Sequence, residues 1–212
     1  MIDDLPCLIY LLAHDESADG PFDRSRTELL VRAAALVDLA SRGRLREAGG
    51  TVAVSGTEPI GDPVLDGVLR DAAGGHGWRH LVRHRRKRTL AQVEDLLAAA
   101  GLLTVRTART PFGSRRTTVT DRAVPAALHA RVSTALRGDG PVREIPATDA
   151  ALLALAAAGR IRSVVSRRDQ KTYRACIDTC TGRLAALGPG LEKAVRALPT
   201  TMIAAQGGMG GS

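Results

Sequence analysis

Hydrophobic and polar residues recur along most of the chain with the period of an α helix. Residues 5–13 form an apolar run that ends at a polar, turn-forming stretch, which predicts a short buried helix. The next predicted helix runs from a capping box at Ser25 and Glu28 to Gly43, with its apolar side chains on one face. Arg32 lies off that face, so we expect its guanidinium to reach solvent or a ligand.

In two places the period changes to that of β strands. Residues 51–56 alternate after a pair of glycines and predict a short strand. Residues 102–121 alternate on both sides of a Pro-Phe-Gly-Ser turn and predict a β-hairpin. Between these segments, Asp62 as a cap and Pro63 at the first helical position predict another helix.

The C-terminal third returns to the helical period. Asp149 and Asp169 are placed to begin helices, and residues 191–198 predict a last one. Aromatic residues make up only 2% of the chain, so the core must be built from Leu, Val, Ile and Ala, which suits packed helices. We therefore predict a mainly α fold, a single globular helical domain over residues 1–205 with one β-hairpin, and a disordered Gly-rich tail over residues 206–212.

Cations are concentrated in residues 78–88, WRHLVRHRRKR, here called the basic segment. Thr89 and Gln92 after it form a second candidate capping box. A helix that begins near Thr89 would place unpaired N–H groups and the positive end of its dipole beside Lys87 and Arg88. The sequence therefore predicts an anion site at this helix start.

The whole chain is strongly basic, and its charge limits the possible partners. The formal net charge is +8 and the pI is about 10.4, which favours partners that carry phosphate, such as nucleic acid or an anionic membrane surface. Arginine far outnumbers lysine in a chain rich in Ala and Gly, a composition that suggests a GC-rich bacterial genome.

No motif in the chain indicates an enzyme, a metal site or a cofactor. The three cysteines lack the paired spacing of a structural zinc site, which favours a reduced, intracellular protein. His80 and His84 are four residues apart, but the arginines around them would repel a divalent cation. No export signal or bilayer-spanning stretch is expected, because the first apolar run is short and has no basic residues before it.

One interpretation of the basic segment is a winged-helix DNA-binding regulator. Its recognition helix would be residues 89–100, and its wing would be the hairpin 102–120. That helix carries Glu94 and Asp95, whereas Gln92 and the preceding Arg88 are its only good base readers. We therefore expect no specific binding to nucleic acid, and the interpretation stays open as an alternative.

A second interpretation comes from the order of motifs. LIYLLAHDESADG, LLVRAAALVDLASRGRL, PIGDPVLDGVL, a tryptophan, a basic helix ending in AAAGLLT, a hairpin and TDAALLALAAA follow one another along the chain. In this order they resemble the Golgi phosphoprotein 3 family. The resemblance implies a mostly helical domain with one hairpin and a peripheral membrane protein that binds phosphatidylinositol 4-phosphate.

The resemblance also implies a head-group pocket, although the match to it is partial. Arg32 and Lys87 match two of the family's basic residues. Asp23 stands where the family has a tryptophan, and Leu90 stands where it has a second arginine. We expect neighbouring residues of the basic segment to complete the head-group site, namely Trp78, Arg83, Arg86 and Arg88.

The hairpin is the second part of the expected membrane-binding surface. Its tip carries Phe112, and its returning strand carries Arg115 and Arg116. Burying one Phe contributes on the order of 2 kcal/mol, against roughly 1 kcal/mol for each cation near an anionic leaflet. We therefore predict a cytoplasmic protein that associates reversibly with the inner face of the membrane, mainly through charge.

Overall fold

Helices form most of the chain. The structure is a computed structural model, and it describes residues 3–15, 20–21, 23–56, 58–107 and 115–207. In chain order the helices are α1 (Leu5–Leu12), α2 (Arg24–Ser41), α3 (Pro63–Ala72), α4 (Trp78–Arg83), α5 (Arg86–Ala99), α6 (Ala123–Arg137), α7 (Ala147–Gly159), α8 (Arg167–Thr172), α9 (Arg174–Gly182), α10 (Pro189–Arg196) and α11 (Leu198–Gly207). The strands are β1 (His14–Asp15), β2 (Gly20–Pro21), β3 (Leu45–Ala48), β4 (Thr51–Val54), β5 (Leu103–Thr107) and β6 (Arg115–Val119).

Three helices lie at the centre of the core. Every residue of α1 is buried, as are residues 27–40 of α2 and most of α7. A helix that is buried on all sides needs small side chains where another helix crosses it closely. Gly159 of α7 meets this need, because a Cβ atom there would lie 2.4 Å from Leu30 Cδ1 of α2.

The start of α2 differs from the prediction. Asp23 is the N-cap, and its carboxylate accepts hydrogen bonds from Arg26 N at 3.1 Å and from Ser25 Oγ at 2.9 Å. The predicted capping box at Ser25 is therefore wrong, because Asp23 takes the capping position two residues earlier. The predicted end is confirmed, since Gly43 has φ +69° and closes a left-handed turn.

Among the described residues, the structure contains the predicted hairpin and two further antiparallel strand pairs that were not predicted, β1 with β2 and β3 with β4. Strands β5 and β6 pair antiparallel, with Leu103 opposite Val119, and residues 108–114 at the tip lie outside the described residues. Strand β4 confirms the predicted strand, but it pairs with β3 through a turn at Gly49 and Gly50, both with positive φ. The β3 sequence LREA lacks a clear alternation, which is why its pairing was missed.

The C-terminal third is helical as predicted, with shifted boundaries. Helix α7 begins at Ala147, and Asp149 lies in its first turn in an ion pair with Arg131. The cap of α8 is Ser166, which forms a capping box with Asp169. Helix α11 follows the helix that was predicted to be last, and residues 208–212 of the predicted tail lie outside the described residues.

Two classes of feature are absent from the part of the chain that the structure describes. None of the helices there has the length and apolar character needed to cross a lipid bilayer. Within the same residues, the His, Cys, Asp and Glu side chains form no group of three or more that could hold a metal ion.

Candidate functional site

The basic segment forms two helices joined by a sharp junction. Helix α4 ends at Arg83, and α5 begins at Arg86 with Arg85 as its N-cap in the left-handed conformation, φ +51°. The predicted start near Thr89 is therefore wrong by three residues. The first turn of α5 consists of cationic residues, and their N–H groups have no partners within the helix. The dipole and the side chains thus place positive charge at the same point.

Arg32 lies beneath this junction. It is fully buried, with an exposure of 0%, so the expectation that it reaches solvent is wrong. Its Nε donates to the carbonyl oxygen of Leu81 at 2.9 Å, and its Nη1 donates to Asp71 Oδ2 at 3.0 Å and to Thr89 Oγ1 at 3.1 Å. Burial lowers the pKa of the guanidinium, and Asp71 opposes that change. Arg32 thereby joins α2, α3, α4 and α5 through one side chain.

One nitrogen of Arg32 differs from the other two. Its Nη2 is buried and has no hydrogen-bond partner among the described residues. A buried donor without a partner is costly, and such atoms call for an explanation such as a bound water, an ion or a ligand. The unpaired donor lies on the same guanidinium that contacts the first turn of α5 through Thr89.

Five Arg or Lys side chains of the basic segment are exposed; Arg79 lies near the start of α4, and Arg85 pairs with Asp71. Arg83, Lys87 and Arg88 are exposed and have no hydrogen bond or ion pair with the rest of the described chain. Arg86 differs, because its Nε lies 3.1 Å from Glu28 Oε2. The exposed cations without partners are therefore the ones that can meet a ligand without breaking an existing pair.

The two departures from the family pattern have structural explanations. Leu90 is fully buried in the core, so an arginine at this position of α5 would have to enter an apolar environment. Asp23 is engaged as the cap of α2 and pairs with Arg26, 2.9 Å away. Neither residue presents a free side chain to the junction between α4 and α5.

Trp78 lies in the core rather than on the surface. It is 3% exposed, and its indole N–H donates to Glu47 Oε2 at 3.2 Å. The same carboxylate oxygen accepts from Gly190 N at 2.6 Å. Trp78 therefore holds α4 against β3 and α10, which is a supporting role and not the head-group contact that was expected.

The rings of three histidines in this region lie close to one another. The ring centroids of His76 and His80 are 4.1 Å apart, and those of His80 and His84 are 5.3 Å apart. Burial lowers the pKa of His84, and nearby cations including Arg32 and Arg85 act in the same direction. His84 therefore adds positive charge to the junction only at a lower pH than an ordinary histidine would.

A buried carboxylate anchors the hairpin to α5. Glu94 is 0% exposed, and Arg24 binds its two oxygens at 2.7 and 3.0 Å. Arg115 Nε lies 2.8 Å from Glu94 Oε2, a charge contact whose angle is poor for a hydrogen bond. Tyr10 completes the cluster, because its hydroxyl lies 3.3 Å from Glu94 and 2.9 Å from Thr117 of β6.

This cluster changes the expected role of the hairpin residues. Arg115 pairs with the buried Glu94 and with the exposed Asp95, so it is not a free membrane-facing cation. Arg116 is exposed, as expected, and stands opposite Arg106 across the hairpin. Arg106 was missed because only strand pairing reveals that the two side chains share a face. Phe112 lies outside the described residues.

Comparison with known proteins identifies a family for this chain. A family model described as Golgi phosphoprotein 3 (GPP34) matches residues 5–198. The match includes both helices of the basic segment, Arg32 and the paired strands of the hairpin. A search of curated proteins returned no match.

Proposed function

Because the chain belongs to the Golgi phosphoprotein 3 family, we propose that it is a non-enzymatic peripheral membrane protein that binds the phosphorylated head group of an acidic phospholipid. The proposed lipid is phosphatidylinositol 4-phosphate or one of similar chemistry. The proposed site is the junction between α4 and α5, and the proposed location is the cytoplasmic face of a membrane.

The observation that carries this proposal is the cluster of exposed cations at the junction. Arg83, Lys87 and Arg88 are exposed at the junction and have no partner among the described residues, and Arg32 contacts the first turn of α5 from the core through Thr89. A phosphate carries several acceptor oxygens and is favoured by cations and by free N–H groups at a helix start. Arg32 acts in the proposal as a positioning residue, because it holds the first turn of α5 in place through Thr89.

The hairpin is placed to contact a membrane together with the junction between α4 and α5. Glu94, which anchors it, lies two turns after the start of α5, about 12 Å along the helix axis. Its outward face carries Arg106 and Arg116 as an exposed cross-strand pair. A bilayer in contact with the junction can therefore also attract the hairpin through charge, at roughly 1 kcal/mol per cation.

The winged-helix alternative receives less support. Glu94 is buried among arginines of the protein itself, and Gln92 packs against α3, since a Cβ atom at Gly67 would lie 3.3 Å from its Oε1. Gln92 is therefore not free to read a base edge in a major groove. Protection of a defined DNA operator in a footprinting experiment would reverse this preference.

Vesicle sedimentation tests the proposal. We expect retention on phosphatidylcholine vesicles that contain phosphatidylinositol 4-phosphate or phosphatidylglycerol, and no retention on phosphatidylcholine alone. The variant Lys87→Gln/Arg88→Gln should bind at least about tenfold more weakly, because each lost charge-assisted contact contributes about 1.5–3 kcal/mol.

The matched control has the same change in charge at a distant place. Arg143 is 85% exposed, and Arg168 is exposed with no partner among the described residues. Arg143→Gln/Arg168→Gln should bind within about twofold of the native protein, since surface charges away from a contact act only weakly. Equal retention on neutral vesicles, or equal loss in both variants, would refute the proposed site.

A further inference from the structure

A second concave basic surface lies in the C-terminal third of the molecule. The loop after α7 and the helices α8 and α9 line an open cavity of about 580 Å³. Its lining contains five cations around the buried Val165, and no Asp or Glu is among the lining residues. We call this cavity the C-terminal basic cleft, and its cations are Arg160, Arg162, Arg167, Lys171 and Arg174.

The cations of this cleft do not stabilise the fold through ion pairs. Arg160, Arg162, Arg167 and Lys171 are exposed and have no hydrogen-bonded or charged side-chain partner within the described part of the chain. Arg174 lies 3.5 Å from Asp178, and it is 83% exposed. Like charges around one concavity repel one another, so this arrangement is stabilised when an anion occupies it.

The backbone at Arg160 also favours a role for its side chain. Arg160 ends α7 in the left-handed conformation, φ +54°, where glycine is the usual residue. The turn itself needs no arginine, because its hydrogen bond from Ile161 N to the carbonyl oxygen of Ala156 is made by the backbone. A charged side chain kept at a strained position is typical of functional sites.

We propose that the C-terminal basic cleft binds a ligand that carries two or more phosphate groups. Four cations with no partners can neutralise more charge than one phosphate bears, and arginine forks bind phosphate oxygens in pairs. The volume is within the range of small-ligand sites. No aromatic side chain lines the cleft, so it lacks the stacking surface that single-stranded nucleic acid uses.

The chemistry fits two sources of clustered phosphate. A soluble polyphosphorylated molecule and the head group of a polyphosphorylated lipid present the same oxygens to the cleft. The proposal is separate from the one at the α4–α5 junction, because the two sites share no residue.

Isothermal titration with inositol hexakisphosphate tests the cleft. The titration uses the Lys87→Gln/Arg88→Gln protein, so that the junction does not contribute and each proposal can fail alone. Adding Arg167→Gln/Lys171→Gln should weaken binding at least about tenfold, as expected for loss of charge-assisted contacts. Adding Arg143→Gln/Arg168→Gln should change it by less than about twofold, because Arg168 lies on α8 but does not line the cleft.

A second variant separates binding from folding. Arg160→Gly removes a cation and suits the left-handed backbone, so it should weaken binding by about fivefold or more without lowering the thermal midpoint. Circular dichroism of all variants checks the fold. Equal affinities in the cleft variant and the control variant would overturn the proposal.

Vesicles distinguish the two sources. For this assay Arg167→Gln/Lys171→Gln is introduced into the otherwise native protein, whose junction is intact. If this variant also loses retention on vesicles containing phosphatidylinositol 4,5-bisphosphate, the ligand is a lipid head group. If it binds inositol hexakisphosphate more weakly but keeps its vesicle retention, the ligand is a soluble polyphosphate. A loss in neither assay contradicts a phosphate site in the cleft.

Discussion

Arg32 and Glu94 are two charged side chains with an exposure of 0%. Arg32 contacts groups from α3, α4 and α5, and Glu94 contacts Arg24 of α2 and Arg115 of the hairpin. A buried charge raises the free energy of the folded state unless partners surround it. The charges of Arg32 and Glu94 are therefore stable only when their partners adopt one particular arrangement. These two residues therefore connect the junction and the hairpin to the same central helix.

Glu94→Gln should lower the free energy of unfolding by about 3 kcal/mol, because it removes the charge that Arg24 and Arg115 share in the core. The free energy of unfolding is measured by urea denaturation, with circular dichroism as the signal. The matched change is Asp95→Asn on the next residue, which also pairs with Arg115 but is 68% exposed. It should cost less than about 1 kcal/mol. Similar losses in both variants would show that burial does not set the strength of these pairs.

At the scale of elements, the break between α4 and α5 shapes the proposed site. A continuous helix through residues 78–99 would leave its N–H groups paired along the whole basic segment. The left-handed residue Arg85 instead ends α4 and lets α5 begin anew, with its free N–H groups among the cations. Arg85 Nη1 lies 3.4 Å from Asp71, which also binds Arg32, so the junction and the buried arginine share one carboxylate.

The backbone at Arg85 permits a test by comparing glycine with alanine. Both substitutions remove the same cation, but only glycine adopts positive φ without a steric cost, so Arg85→Gly should be more stable than Arg85→Ala by about 1 kcal/mol. At Arg88, in the right-handed first turn of α5, the order should reverse by about 0.5–1 kcal/mol. Urea denaturation of the four variants measures both differences, and the same order at both positions would contradict a left-handed junction.

At the scale of the whole molecule, charge is divided between core and surface. The buried pairs of Arg32 and Glu94 are largely protected from salt, whereas the cations of the junction, the outer hairpin face and the C-terminal basic cleft are exposed. The net charge of +8 therefore acts mainly by attracting anions outside the protein.

This division predicts different salt responses for binding and for stability. Raising NaCl from about 50 to about 500 mM should release most of the protein from phosphatidylglycerol vesicles, because the screening length falls from about 14 Å to about 4 Å. The midpoint of urea unfolding should change little over the same range, since the strongest pairs are buried. Retention that survives high salt would mean that apolar insertion dominates attachment.

Local sequence determined much of the secondary structure of this protein. The periodicity of α1 and α2, the cap at Asp62 with Pro63 after it, the stop at Gly43 and the strands around the Pro-Phe-Gly-Ser turn are all present as predicted. These features depend on residues a few positions apart, and a single chain displays such contacts directly. The order of the motifs also indicated the family that the comparison confirmed.

Tertiary structure alone decided which side chains can meet a ligand. Arg32 has partners 39 to 57 residues away, and Trp78 and Leu90 are enclosed by elements distant in sequence. Periodicity shows that a residue lies off one apolar face, but it does not show whether another helix covers the opposite face. The C-terminal basic cleft illustrates the same limit, because its cations are scattered over residues 160–174 and converge only where α7, α8 and α9 turn around one cavity. Exposure is a property of all the neighbours in space, and for this chain those neighbours come from the whole fold.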